Sequence, residues 1–559
     1  MSIEARLVAW LVEGVAAAAP GLGLDGTALP TPELMAPRQK EHGDFATNVA
    51  LALAKPAGRP PREVAEAIAQ ALPAAPFVRK VEVAGPGFLN IFTTQDWLHD
   101  VLRQIAAEGH GYGRAQPTGR RVQVEFVSAN PTGPLHVGHA RNAALGDALA
   151  RILEAAGETV EREYYFNDAG RQMDLFAASV EARYLQALGR DATMPEDGYL
   201  GDYLADLARE IVAEHGDAFA DLPLEEREAR LLAEGSTKIL AGIEHTLERF
   251  GVHFDVYFSE STLARKGEIA AAIERLRVAG YAYEAEGATW FKSTAFGDDK
   301  DRVVIRSNGA HTYFGADCAY LLDKFSRGFD HVIYVWGADH HGDVARVKGA
   351  ATALGLDADA VEMILYQFVS FMRGGEVVKM SKRSGSIVTL DQLIDEVGAD
   401  AARFTLLSSS SDSAMNFDIE VVKQETMENP VYYVQYGHAR LASILRKAAD
   451  RGVAMPPIDA VDLSRLTHEA ELSLLRALAE APGLVAAAAE HRAPHRLTHA
   501  AQDLAGRFHH FYTECQVLSD DEALTQARLW LCAGTKQVIA NLLGLLGVSA
   551  PESMDRADA

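Results

Sequence analysis

A chain of 559 residues, 48% hydrophobic and 23% charged, is too long for a single core, so three or so domains are expected. No apolar run approaches the roughly 20 residues of a membrane span. The N-terminus MSIEARLVAW lacks a basic leader pattern, and the three scattered cysteines form no CxxC pair, which argues against a disulfide scaffold or zinc knuckle and for a cytoplasmic protein. The formal charge of −25 would disfavour a polyanionic partner, but residues 181–250 alone hold 7 basic against 16 acidic side chains. Both ends of the chain are close enough to neutral to offer local basic faces.

In chain order, a helix-period stretch near 3–18 leads to His42–Asn48 and an alanine-rich helix. Lys80–Ala84 and Gly87–Phe92 alternate as strands around a Gly-Pro-Gly turn, and helix 95–107 runs into the glycine-rich linker Gly111–Gly119. Residues 1–112 therefore read as a small α/β domain. Next, Val122–Val127 is a buried-type strand that passes through Asn130–Pro134 into a helix starting near His136. Leu145, Leu149, Ile152 and Leu153 form its apolar stripe, Gly157 ends it, and a second strand lies near Tyr164–Phe166. Strand, loop, helix and strand at this spacing make a βαβ unit and hence a parallel, doubly wound sheet. The acidic stretch 175–250 reads as a mostly helical insertion. Sheet character returns at Arg302–Ile305, His331–Trp336 and Glu362–Phe371, so the α/β domain is expected over 113–425. Beyond about 425 the pattern is helical, giving an all-α domain over 426–559.

Two short motifs carry the chemistry. His136-Val137-Gly138-His139 opens a helix after a strand, where free helix N–H groups favour phosphate; two imidazoles can add ring donors, and Gly138 leaves the backbone open to a nucleotide. Lys379-Met380-Ser381-Lys382-Arg383 lies in a Gly/Ser/Lys-rich loop, and Thr389 with Gln392 forms a capping box that starts the next helix. Such a loop could close two ammonium groups over a departing pyrophosphate, acting on rate rather than on binding alone. Asp339-His340-His341 follows a strand; adjacent histidines on extended backbone point apart, so no metal site is expected there.

Together these motifs resemble the HIGH and KMSKS signatures of class I aminoacyl-tRNA synthetases. Ser128–Arg141, Tyr165–Gln172, Asn429–Tyr436 and Leu546–Glu552 resemble the arginyl-tRNA synthetase family in particular, and His42–Asn48 with Gly85–Phe92 resemble its added N-terminal domain. Gly133 stands where many members carry a compensating lysine, and Arg383 replaces the last serine of KMSKS, with both lysines kept.

The resemblance implies arginine–tRNA ligation through an arginyl-adenylate. It implies catalytic roles for His136, His139, Lys379 and Lys382, and ATP contacts at Gly138, Gly337, Asp339, His340, Met380 and Ser381. A guanidinium is best held by carboxylates and aromatic faces; the family places Glu260, Tyr313 and Asp317 around it, with Asn130 at the other end of the amino acid. Glu125, an acid inside a strand, is a weaker candidate. Tyr432, Tyr436, Arg440, His510 and Tyr512 are expected to meet tRNA, the C-terminal domain reading the anticodon and the N-terminal domain the elbow. Magnesium would arrive with ATP, no structural metal is expected, and the chain is expected to be a monomer away from membranes. No large insertion suggests an editing domain, since binding alone should discriminate a guanidinium. Competing readings are a class I synthetase for another amino acid, a small-molecule nucleotidyltransferase and a catalytically silent RNA-binding relative.

Overall fold

The computed structural model describes residues 3–24, 28–35, 37, 39–378 and 388–554. Its largest sheet has strands β1 (Arg121–Glu125), β2 (Thr159–Phe166), β3 (Val256–Ser259), β4 (His331–Gly337) and β5 (Val361–Tyr366). All neighbours are parallel, and the spatial order is β3-β2-β1-β4-β5. The order reverses between β1 and β4. In such doubly wound sheets a crevice opens there, outside the carboxyl ends of the strands.

Helix α1 (Ala140–Ala155) returns the chain from β1 to β2 and buries Leu145, Leu149, Ile152 and Leu153, the stripe read from the sequence. It can lie close to β1 because Gly146 has no side chain; a Cβ there would fall 2.2 Å from the Phe126 ring. Between β2 and β3, α2 (Arg171–Ala187), α3 (Tyr203–His215) and α4 (Leu224–Arg249) pack on a core of their own that includes Phe176, Val180, Leu207 and Leu231. After β3, α5 (Tyr313–Ser326) leads into β4, and α6 (His341–Ala353) follows it.

The stretch expected as one strand over Glu362–Phe371 is two. β5 stops at Tyr366, and Val369–Arg373 joins another sheet with Glu376–Val377 and Met415–Asp418. At the break, Gln367 N–H donates to Ser411 O at 2.8 Å and its carbonyl accepts from Arg141 Nη1 at 2.7 Å, so its backbone is spent outside the ladder. The strand expected to reach Val127 ends at Glu125, and Ala282–Ala285 with Ala288–Phe291 form a hairpin beside Arg302–Ile305 that hydrophobic periodicity did not reveal.

Two compact units emerge, and they do not follow chain order: residues 1–112 with 443–482 and 506–538, and residues 113–442 with 483–505 and 539–559. The helices beyond 425 are thus shared between them. In the first unit a three-stranded antiparallel sheet (Phe45–Thr47, Phe88–Thr93, Val78–Ala84) packs with helices Ile3–Ala18, Val49–Ala57 and Pro61–Ala71, and the Tyr112 hydroxyl donates to Leu478 O at 2.8 Å.

In the second unit a fully buried guanidinium fastens the chain's last segment. Arg403 pairs with Asp147 of α1 and donates to Phe250 O at 3.0 Å and Leu546 O at 3.1 Å. Gly547 follows at φ 66°, and a Cβ there would lie 2.1 Å from the guanidinium. Removing one partner of a buried ion pair leaves the other uncompensated, typically at a cost of about 3–5 kcal/mol. Arg403→Met should therefore lower the denaturant midpoint by an amount in that range, although Arg151 still reaches Asp147 at 2.8 Å; a loss below about 1 kcal/mol would show that the pair is dispensable.

Candidate active site

The crevice begins where β1 ends. Val127 and Ser128 adopt φ of 65° and 45°, left-handed values rare for any side chain and costly for a β-branched one. Neighbouring bonds hold them there. Asn142 of α1 accepts from Val127 N at 2.9 Å and donates to Val335 O at 3.1 Å, so one buried amide ties the β1 turn to β4. The Tyr164 hydroxyl donates to Ala129 O at 2.7 Å. Asn130 accepts from Asn167 N at 3.1 Å and donates to Gln172 at 2.7 Å. The segments Ser128–Pro134 and Tyr165–Gln172, far apart in sequence, are one hydrogen-bonded assembly, and Asn130 already spends part of its amide on it.

His136 caps the single turn Val137–His139 that precedes α1. Its Nδ1 accepts from Gly138 N at 3.1 Å, while His139 Nδ1 accepts from His136 N at 3.3 Å, and the two rings lie 4.0 Å apart. A nitrogen that accepts carries no proton, so each neutral ring holds its proton on Nε2, pointing the donor away from the backbone. Gly138 has a nearer reason than ligand approach: a Cβ would lie 2.7 Å from the His136 ring, which could not fold back onto its own turn.

Backbone pairing brings a distant segment to the same turn. Val137 N donates to Val388 O at 3.1 Å, Leu390 N donates to Leu135 O at 2.9 Å, and His136 bridges Thr389. The expected capping box is present: Thr389 N donates to Gln392 Oε1 at 2.9 Å, and Gln392 N to Thr389 Oγ1 at 3.1 Å. Lys379, Met380, Ser381 and Lys382 fall outside the described residues.

At the carboxyl end of β4, Gly337 leads into the turn Ala338–His340 and then α6. Asp339 and His340 are exposed there; His340 Nδ1 meets Asp343 at 3.0 Å and its ring lies 5.6 Å from Trp336. Among the described residues one cluster has metal-like ligand spacing, Glu214, His215 and Glu234 on α3 and α4, and the Lys238 ammonium already bonds Glu214 at 2.6 Å.

Helix α5 supplies the acidic side of the site. Tyr313, Asp317, Tyr320 and Lys324 follow one another at helical spacing along one face. At the inner end, the fully buried Lys324 ammonium bonds Glu125 at 2.7 Å and Gln123 at 2.6 Å, stands 3.6 Å from Glu163, and lies 4.2 Å from the Tyr320 ring centroid. Glu125 is therefore already paired. Tyr313, at the outer end, is 55% exposed, and its hydroxyl is near Gly170. Asp317, one turn further in, has no ion pair among the described residues. Burial, with the Glu260 and Glu125 carboxylates, pushes its carboxyl up to about 7. Glu260 has no ion pair either; it accepts a short hydrogen bond from the Tyr165 hydroxyl. Burial raises it, Tyr165 opposes that, and Asp168 adds to it. Sequence reasoning singled out Glu260, Tyr313 and Asp317, gave Tyr165 and Gln172 only as members of the motif Tyr165–Gln172, and missed Lys324 and Asn142. Only the polar residues placed inside apolar elements gave any signal.

Tyr432, Tyr436 and Arg440 form a ladder on helix Pro430–Asp450, with rings 6.2 Å apart and the Arg440 guanidinium 5.8 Å from the Tyr436 ring. Tyr432 is only 7% exposed, which runs against its expected role: little of its ring is left for a base to stack on. His510 is exposed and Tyr512 half-buried on helix His495–Glu514; both fall in the first compact unit, the ladder in the second.

Family models match almost end to end: arginyl tRNA synthetase N terminal domain over 11–93, tRNA synthetases class I (R), catalytic domain over 101–441, and DALR anticodon binding domain over 434–554. The arginine–tRNA ligase of Desulforudis audaxviator is 53% identical over 97% of both chains. The chain belongs to the arginyl-tRNA synthetase family. The arginine–tRNA ligase of Desulforamulus reducens is 49% identical over 99% of both chains. Thermus thermophilus arginyl-tRNA synthetase superposes with a TM-score of 0.76 at 25% identity, covering 99% of this chain and 100% of that one.

Two outcomes follow for this site. Gly138→Ala should displace the His136 ring and, since a shift near 1 Å can cost about a hundredfold in rate, slow ATP–pyrophosphate exchange on that scale with arginine KM little changed; an unchanged rate would show that the ring position is immaterial. Because a guanidinium pairs with a carboxylate rather than a carboxylic acid, kcat/KM for arginine should rise with pH through about 7, where Asp317 loses its proton. Asp317→Asn should flatten that rise, and a slope identical to the parent's would assign it to another group.

Proposed function

We propose that the crevice outside β1 and β4 holds ATP, that Glu260, Tyr313 and Asp317 hold the arginine side chain, and that Asn130 meets its α-ammonium or carboxylate end. The chain is an arginine–tRNA ligase that activates L-arginine with ATP and charges tRNA. The observation that carries the residue assignment is the pair of carboxylates, Glu260 and Asp317, recessed beside the crevice without an ion pair among the described residues. A permanently charged, planar guanidinium is the side chain that satisfies both.

In the first step a carboxylate oxygen of arginine attacks the α-phosphorus of ATP, the bond to the bridging oxygen breaks, and pyrophosphate leaves. In the second, a terminal ribose hydroxyl of tRNA attacks the arginyl carbonyl carbon and AMP departs. No group of the protein is covalently modified. ATP enters as its magnesium complex, which the phosphates themselves coordinate, and the reading needs no structural metal. The Nε2 donors of His136 and His139, the N-terminus of α1, and the turn at Gly337–His340 face charge that grows on the phosphates.

Lys379 and Lys382, with Met380 and Ser381, are proposed to close on the same phosphates. Val388, bonded to Val137, stands six residues after Lys382. Six residues span at most about 20 Å, so chain length alone keeps Lys382 within reach of the histidines. Tyr436, Arg440, His510 and Tyr512 are proposed to contact tRNA, within a division into an elbow-binding domain (1–112), a catalytic domain (113–425) and an anticodon-binding domain (426–559). Family-model matches over 11–93, 101–441 and 434–554 support that division. The chain is proposed to act as a cytoplasmic monomer. One helix, Glu469–Glu490, is long and apolar enough to cross a membrane, but half of its most apolar window is buried within the protein.

Lys382→Ala should lower the rate of arginine-dependent ATP–pyrophosphate exchange by about 10²–10³-fold with arginine KM changed far less. Equal losses in both would contradict a transition-state role.

A further inference from the structure

The Tyr165 hydroxyl points at Glu260, and its surroundings leave it one thing to do. Tyr165 sits on β2, opposite Phe258 of β3 in the strand register. Its ring is held against Tyr320 of α5 at 4.6 Å and lies nearly parallel to Phe258 at 6.2 Å, with planes 13° apart. Its backbone N–H donates to Ser128 Oγ at 3.2 Å, which places it in the same assembly as the strained β1 turn. Burial, then the Glu260 and Asp317 carboxylates, drive the hydroxyl well above its ordinary range, so it stays protonated and donates. The acceptor is Glu260 Oε2.

We propose that Tyr165 is a positioning residue for arginine recognition: its hydroxyl fixes one oxygen of Glu260 so that the other faces the guanidinium. The inference rests on the assignment of Glu260 to the arginine side chain. Glu260 stands at the first position after β3, ahead of a five-residue helix, Ser261–Arg265. Of its carboxylate oxygens, only Oε2 has a hydrogen-bond partner within the described residues, and that partner is Tyr165. Without that donor the carboxylate could swing toward solvent, and each arginine molecule would have to restore its orientation at a cost in binding energy. Nothing in this arrangement reaches the phosphates, so the consequence belongs to arginine affinity and leaves the chemical step alone.

Tyr165→Phe keeps the ring and its stacking while deleting the donor. With tRNA and ATP saturating, it should raise the arginine KM about tenfold, the scale of one hydrogen bond to a charged group, with kcat, ATP KM and the unfolding midpoint little changed. In the Glu260→Ala background the same substitution should cost nothing further. If Glu260→Ala itself leaves arginine KM unchanged, the assignment of Glu260 fails and takes the proposal with it. If Glu260→Ala is impaired while Tyr165→Phe is normal, the assignment stands and the positioning role is overturned. An equal rise from Tyr165→Phe in both backgrounds, or a joint fall in kcat and unfolding midpoint, also overturns it.

Discussion

Lys324 places its ammonium at a fully buried position, and Glu125 and Glu163 make that tolerable. The consequence reaches beyond stability. Glu125 stands at the end of β1, where the crevice opens, and without the ammonium it would be a third uncompensated acid beside Glu260 and Asp317. Three like charges in a recess would push one another toward protonation. With Glu125 paired to the Lys324 ammonium, the recess is left with a deficit that one guanidinium can repair, and burial together with the Glu260 and Glu125 carboxylates holds the Asp317 carboxyl up at about 7. One face of α5 does both jobs: Lys324 at its inner end cancels charge, and Asp317 nearer the mouth keeps it.

The geometry around that deficit is over-determined. Val127 and Ser128 sit in left-handed backbone that they would not choose, and Asn142, Tyr164 and Tyr165 supply the bonds that hold them there. Arg141, next to Asn142 on α1, donates to the carbonyls of Gln367, Ser410 and Ser413 at 2.7–2.8 Å. A single turn of α1 therefore sets the end of β1, the end of β4 and the break after β5. Since the turn that carries His136 and His139 runs directly into the same helix, the imidazoles and the walls of the crevice are placed by one continuous element, which is what catalysis by positioned donors requires.

Much of this was legible in the sequence. The βαβ unit, the α1 stripe and the capping box at Thr389 each follow from a local pattern, while the choice of Glu260 and Asp317 rests on the chemistry of a guanidinium and on resemblance. What was not legible depends on tertiary partners. Nothing in Val122–Val127 announces that the strand stops at Glu125, because the left-handed turn there is held by tertiary bonds such as that from Val127 N to Asn142. Nothing in Glu362–Phe371 announces a break, because the bonds that make it come from Arg141 and Ser411. The aromatic ladder at Tyr432 suggested exposed stacking surface, whereas burial is decided by what packs on the other side. Gly138 was read as making room for a ligand, and its first duty is to the His136 ring.

If the carboxylates Glu260 and Asp317 select arginine by charge, the selection should fade when their charge is removed. The direct measurement is kcat/KM for ATP–pyrophosphate exchange with arginine and with citrulline, which keeps the shape but replaces the guanidinium by a neutral urea, in the parent and in the Glu260→Gln/Asp317→Asn double variant. The account predicts a preference for arginine of about 10⁴-fold in the parent that collapses by two or more orders of magnitude in the variant, mostly through loss of arginine activity. A double variant that retains the parent's preference would place arginine recognition elsewhere in the chain.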